Sequence, residues 1–112
     1  MGLKCDEYNQ VCVMTLDGDL AADNCALLRR AAEERLTSRQ VVDFVLDAEK
    51  CGFMDSEGLE TLLWLKRRSE EVFGQVKLAG LDDNCRKILE ITRLEHRFEC
   101  HKDLAAALKT MR

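Results

Sequence analysis

The segment Phe53-Met54-Asp55-Ser56-Glu57-Gly58-Leu59 constrains this chain most, because two hydrophobic periods meet inside it. Upstream, Val41-Val42-Asp43-Phe44-Val45-Leu46 is β-branched and aromatic, which predicts a buried strand over 41–46. Downstream, Leu59, Leu62, Leu63 and Leu65 recur at helical spacing among Glu, Lys and Arg. The junction therefore sets a small hydroxyl, Ser56, at the amino end of a helix between two carboxylates, Asp55 and Glu57. On its own, Ser56 reads as a helix N-cap. Gly58 falls in the first helical turn, where a missing side chain lets a neighbouring surface approach the backbone.

The same alternation extends through the chain. Leu3 to Tyr8 reads as a first strand, turning at Asn9-Gln10 into Val11 to Leu16, which Asp17-Gly18-Asp19 ends. Asp23 or Asn24 is expected to cap a helix over 24–36, with Leu28, Ala31, Ala32 and Leu36 as its buried stripe. The helix from Ser56 is expected to run to Phe73 and close at Gly74. Trp64 on it should be half-buried among Leu62, Leu63 and Leu65. Val76-Lys77-Leu78-Ala79 is a further strand, and Asp82-Asp83-Asn84 supplies caps for a helix with Ile88, Leu89 and Thr92. A last short strand is expected over 97–100, and Asp103 caps a final helix with Leu104, Leu108 and Met111 at i, i+4 and i+7. Strand and helix in alternation predict an α/β fold with a largely parallel sheet. In such sheets functional groups gather where strands end and helices begin, which is where Ser56 stands.

A chain of 112 residues without proline or a low-complexity stretch is expected to form a single domain, 1–112. Its formal net charge is −4, and the one compact basic trio, Lys66-Arg67-Arg68, is followed by Glu70 and Glu71. That pattern describes a solvated mixed-charge face, so no nucleic-acid partner is expected. No apolar run reaches the ~18 residues of a spanning helix and no signal-peptide pattern is present, so no membrane insertion and a cytoplasmic location are expected. The cysteines Cys5, Cys12, Cys25, Cys51, Cys85 and Cys100 contain no Cys-x-x-Cys pair and are read as reduced, small hydrophobic packers. Cys85, His96, Cys100 and His101 are the best zinc candidates but lack close ligand pairs, so no metal or other cofactor is expected.

Enzymatic readings fare poorly at Ser56. A nucleotide site would need a glycine-rich loop and a Lys at the helix start. A receiver domain using Asp55 would need an acidic pair after its first strand and a distant Lys, and a serine hydrolase would need Gly-x-Ser-x-Gly and a positioned His. None of these patterns is present, and His96 and His101 read as surface or edge residues.

The ordered set of motifs resembles the STAS domain family, which includes bacterial anti-sigma factor antagonists and the cytosolic tails of sulfate transporters. The resemblance rests on Gly18-Asp19-Leu20 after an early strand, Leu46-Asp47, the Phe53 to Leu59 signature and the strand at Val76 to Gly80. It continues through the Arg86, Leu89, Thr92, Leu94 rhythm and the Ala-Leu-rich helix from Leu104 to Leu108. It implies a mixed, largely parallel sheet of four to five strands packed with four helices. It also implies a regulatory protein rather than an enzyme. In that role Ser56 would be phosphorylated by an anti-sigma factor that is also a serine kinase, and a PP2C-type phosphatase would reverse the modification. Asp19, Asp23, Asp55, Glu57, Gly58 and Glu60 would form the partner-binding surface, within a footprint over 51–60 supported by 19–24. The family commonly has Ser or Thr where Glu57 stands, and Asp where Ala21 stands. Glu57 points toward an alternative in the same family: a STAS subunit bound constitutively to a transporter ATPase in lipid trafficking, or a scaffold or sensor subunit. The oligomeric state is left open.

Overall fold

The computed structural model describes residues 2–38 and 40–111. Alternating side chains dictate a sheet with two covered faces. On β2 (Val11–Asp17), Cys12, Met14 and Leu16 point to one face and Val11 to the other; on β3 (Asp43–Lys50), Phe44, Leu46 and Ala48 oppose Val45 in the same way. β1 (Leu3–Tyr8) pairs antiparallel with β2 through a two-residue turn in which Asn9 and Gln10 both have positive φ, 50° and 69°. β4 (Val76–Ala79) and β5 (Glu99–His101) complete a five-stranded sheet of order β1-β2-β3-β4-β5, parallel from β2 onward.

Helices α1 (Ala22–Ser38), α2 (Ser56–Glu71) and α3 (Asp83–Ile91) bury their apolar stripes on the Met14–Phe44–Leu78 face. The short α4 (Leu104–Lys109) covers the other face, where Ala107 and Met111 pack with Val11, Val45 and Ala79. Lys77 also points to this face. Its buried ammonium meets Glu99 at 2.9 Å and donates to Thr110 Oγ1 at 2.7 Å. Between α1 and α2, the half-buried Trp64 is stacked by the guanidinium groups of Arg29 and Arg68, 5.0 and 5.7 Å from its ring centre. Arg68 also pairs with Glu33 and Glu71, and Lys66 with Glu70, so the basic trio is the mixed-charge face its spacing implied.

Several boundaries depart from the sequence expectation. β3 begins at Asp43 and runs to Lys50, because β2 offers pairing partners as far as Asp17↔Lys50 even after the β-branched residues end. α1 begins at Ala22, with Asp23 in its first turn, and the Asn24 side chain donates to Asp19 O at 2.8 Å instead of capping. A 3₁₀ turn at Glu95–Arg97 delays β5 to Glu99. α2 ends at Glu71, and the left-handed residue after it is Phe73 (φ 65°) rather than Gly74. Gly74 is needed for another reason: a Cβ there would collide with the Val42 carbonyl oxygen. The strain therefore falls on Phe73, whose ring is 97% exposed.

Candidate functional site

The carboxyl ends of β2, β3 and β4 release three loops that are tied into one surface. Leu20, after β2, forms a parallel bridge with Met54, and its N–H donates to Phe53 O at 3.0 Å. Gly18 N–H donates to Lys50 O at 3.2 Å, and Asn84 Nδ2, in α3, donates to Gly52 O at 2.7 Å. The Leu20–Met54 bridge keeps the chain extended up to Asp55 (φ −91°, ψ −175°) before the helix starts.

That extension decides the cap. Asp55, not Ser56, is the N-cap: its Oδ1 accepts from Gly58 N–H at 2.8 Å. Ser56 is the first helical residue, exposed, and its hydroxyl makes no hydrogen bond among the described residues. Both side chains are good caps, but only one can occupy the extended position before the first turn. Gly58 is buried, and a Cβ there would overlap the Leu20 carbonyl oxygen. The approaching surface that this glycine admits is thus the chain's own β2–α1 loop. Gly58 consequently sets the position of the helix and lies beneath the surface it was expected to help form.

The other expected residues lie on α2 and on the β2–α1 segment that bridges to its entry. Asp19, Asp23, Glu57 and Glu60 are exposed, and Asp55 is half-buried by its capping bond. A Cβ on Gly52 would lie 3.8 Å from Asp19 Oδ1 and 4.0 Å from Asp82 Oδ2, so carboxylates from two loops flank that glycine. Under the site, Thr61 Oγ1 donates to Glu57 O at 2.8 Å. The buried Cys25 thiol is pushed up by desolvation, against a hydrogen bond with Thr61 and reinforced by the Glu57 and Asp55 charges. Phe53, inside the expected 51–60 footprint but not singled out as a contact residue, is 46% exposed. It lies in the loop between β3 and α2, beyond the end of β3 at Lys50.

Zinc candidates do not assemble. Among the described residues no three His, Cys, Asp or Glu side chains come together around a metal-sized space. Cys85 lies against Cys51, and His101 Nε2 sits 2.6 Å from Glu99 Oε2 at the sheet edge. The six cysteines are free thiols; Cys12, Cys25, Cys51 and Cys85 are buried as expected, but Cys100 is exposed on edge strand β5. A cavity of about 450 Å³ lined by Leu81, Arg86, Leu89, His96 and Phe98 among others lies beside α3 and β5, and Ser56 is not in its lining.

The family model described as "Mlab, STAS domain" matches residues 4–106. The chain belongs to the STAS family. This STAS domain is similar in fold to Bacillus SpoIIAA in its phosphorylated form, at 21% identity and a TM-score of 0.80, covering 98% of this chain and 99% of that one. It is also similar to an anti-sigma factor antagonist from Mycobacterium paratuberculosis (19% identity, TM-score 0.78, covering 96% and 90%). A sulfate transporter family protein from Wolinella succinogenes matches at 14% identity with a TM-score of 0.81, covering 93% and 86%. The expected α/β architecture, a five-stranded, mostly parallel sheet with four helices, is the one observed. No helix of the described residues is long and apolar enough to cross a membrane.

Proposed function

We propose that this STAS domain is an anti-sigma factor antagonist-like binding protein that docks a serine kinase partner over the α2 amino terminus and is switched by phosphorylation of Ser56. The observation that carries the reading is the division of labour at the helix start. Asp55 supplies the cap, which leaves the exposed Ser56 hydroxyl without a structural bond to lose. A kinase can therefore modify Ser56 without dismantling the helix end. The phosphate would add about −1.5 to −2 charges at pH 7. First-turn N–H groups without intrahelical partners and the helix dipole favour that charge, while Asp55 and Glu57 oppose it. The phosphate is tolerated by the domain rather than clamped. A partner packed over the same junction would have to desolvate it, which lowers affinity by orders of magnitude with no change of fold.

Phe53 offers this surface an exposed aromatic side chain and Asp19, Asp23, Glu57 and Glu60 exposed carboxylates, a composition suited to protein docking. The likeness to SpoIIAA in both its phosphorylated and unphosphorylated forms, with TM-scores of 0.80 and 0.78, supports a switch that leaves the fold in place. A PP2C-type phosphatase would reset it.

A second reading is favoured by Glu57, a permanent negative charge beside Ser56, and by the family description, which names Mlab. In it the same surface holds the domain constitutively on a transporter ATPase. Affinity capture from the native host with wild type, Ser56→Ala and Ser56→Asp as baits separates the two. The switch requires Ser56→Ala to retain a kinase partner that Ser56→Asp loses. Equal recovery of one ATPase by all three would replace it with the constitutive reading.

A further inference from the structure

Two buried cysteines meet directly beneath the loop that carries Phe53. Cys51 leaves the end of β3 and Cys85 stands in the first turn of α3, separated by 34 residues in sequence, yet their sulfurs are 3.9 Å apart. The backbones on both sides are fixed. Asp82 caps α3 by accepting from Cys85 N–H at 2.8 Å, Asn84 holds Gly52 O at 2.7 Å, and Cys51 N–H donates to Ala48 O at 3.0 Å. Each thiol donates to a carbonyl of the same loop: Cys51 Sγ to Phe53 O at 3.3 Å and Cys85 Sγ to Cys51 O at 3.4 Å. The Phe53 carbonyl in turn accepts from Leu20 N–H, so the dithiol is one hydrogen bond away from the bridge that joins the two site loops.

We propose that Cys51 and Cys85 are a redox pair, oxidised by hydroperoxides to a disulfide that resets the Cys51–Asp55 loop. The sulfurs need close only from 3.9 Å to the about 2.0 Å of an S–S bond, between backbones already held together. Cys51 gives up its proton and its sulfur attacks the peroxide O–O bond, forming a sulfenic acid and hydroxide. The Cys85 sulfur then displaces the sulfenic oxygen, and the departing oxygen and the hydroxide take the two thiol protons. Two thiols are oxidised, one hydroperoxide is reduced, and with hydrogen peroxide the products are the disulfide and two waters. Burial, the adjacent Cys51 and Asp82 all hold the Cys85 thiol above its ordinary range, and the balance is the same whichever sulfur meets the peroxide first. In the disulfide neither sulfur carries a hydrogen, so the bonds to Phe53 O and Cys51 O are both lost. The consequence is local to the candidate site.

The test uses the full-length protein with Cys5→Ser and Cys100→Ser, which remove the half-buried and the exposed thiols able to compete. The protein is treated with hydrogen peroxide, alkylated, and mapped by peptide mass spectrometry. A Cys51–Cys85 cross-link that dithiothreitol reverses, and that neither Cys51→Ser nor Cys85→Ser forms, is expected. Continued alkylation of both thiols, or cross-links only between other cysteines, would overturn the proposal. Amide exchange at Leu20 and Gly58 should quicken by about threefold or more on oxidation. Unchanged exchange in fully cross-linked protein would overturn the claim that the pair acts on this loop. These readouts need no partner protein, so they stand or fall apart from the phosphorylation switch.

Discussion

Gly58→Ala isolates the contact that builds the candidate site. Two effects oppose each other. Alanine is favoured over glycine in a helix by up to about 1 kcal/mol, and less than that in a first turn. Against this, the new methyl would overlap the Leu20 carbonyl oxygen. The obstacle is backbone, so no side-chain rotation relieves it, and either α2 or the β2–α1 loop must shift. Overpacking of this kind costs about 1–3 kcal/mol. The net expectation is a loss of about 1–2 kcal/mol, which for 112 residues lowers Tm by roughly 4–8 °C. Urea denaturation should show this as a shift in midpoint at constant slope. Amide exchange should locate it at Leu20, whose N–H bonds to Phe53 O. The exposed neighbours Glu57→Ala and Glu60→Ala serve as controls and should stay within about 0.5 kcal/mol. If Gly58→Ala equals or exceeds the wild-type stability, helix propensity outweighs the contact and the account of the loop–helix junction is wrong.

Other consequences are equally direct. Asp55→Ala should lose about 1 kcal/mol of stability as the cap is removed, whereas Ser56→Ala should change it by less than about 0.5; the reverse order in chemical denaturation would return the cap to Ser56. Glu99 has its carboxyl held below the usual range by Lys77 first and then His101, so its stabilisation is present above the unfolded carboxylate pKa and is lost as pH falls through the lowered folded value. Glu99→Gln should therefore cost about 1 kcal/mol at neutral pH, discounted for its exposed side, and converge with wild type in acid; a pH-independent difference would rule out the ion pair as the cause. The Cys5 thiol is lowered to about 7, by a hydrogen bond from Cys12 foremost and by Arg35, against the opposing effect of burial. Its alkylation rate should rise through pH 7 and level off above, ahead of Cys100, an exposed residue whose thiol is still raised by partial desolvation of its sulfur; equal rates at pH 7 would contradict this.

The sheet and its helices were legible because the strands, covered on both faces, keep short apolar runs at Val11–Leu16 and Val76–Ala79, while the leucines of α2 keep the helical period. Gly58 was legible as a point of close approach, though not what approaches it, since Leu20 lies far off in sequence. The choice of cap was not legible: Asp55 and Ser56 are both good N-caps, and the Leu20–Met54 bridge alone settles which one stands before the first turn. The end of α2 was misplaced for a related reason. Glycine is the usual left-handed residue at a helix end, but Gly74 is required where Val42 crowds the backbone, so Phe73 takes the positive φ. Phe53 fell within the expected footprint, though its exposure was not legible from an apolar side chain, and the Cys51–Cys85 contact was hidden by the absence of any spacing signal between residues on different elements.

Phosphopeptide mass spectrometry of the protein isolated from its native host tests the central claim most directly. The account predicts a phosphate on Ser56 in part of the population, with the modified form absent from the fraction that co-purifies with the kinase partner. Ser56 unmodified under all growth conditions, or phosphorylated Ser56 recovered in that bound fraction, would contradict it.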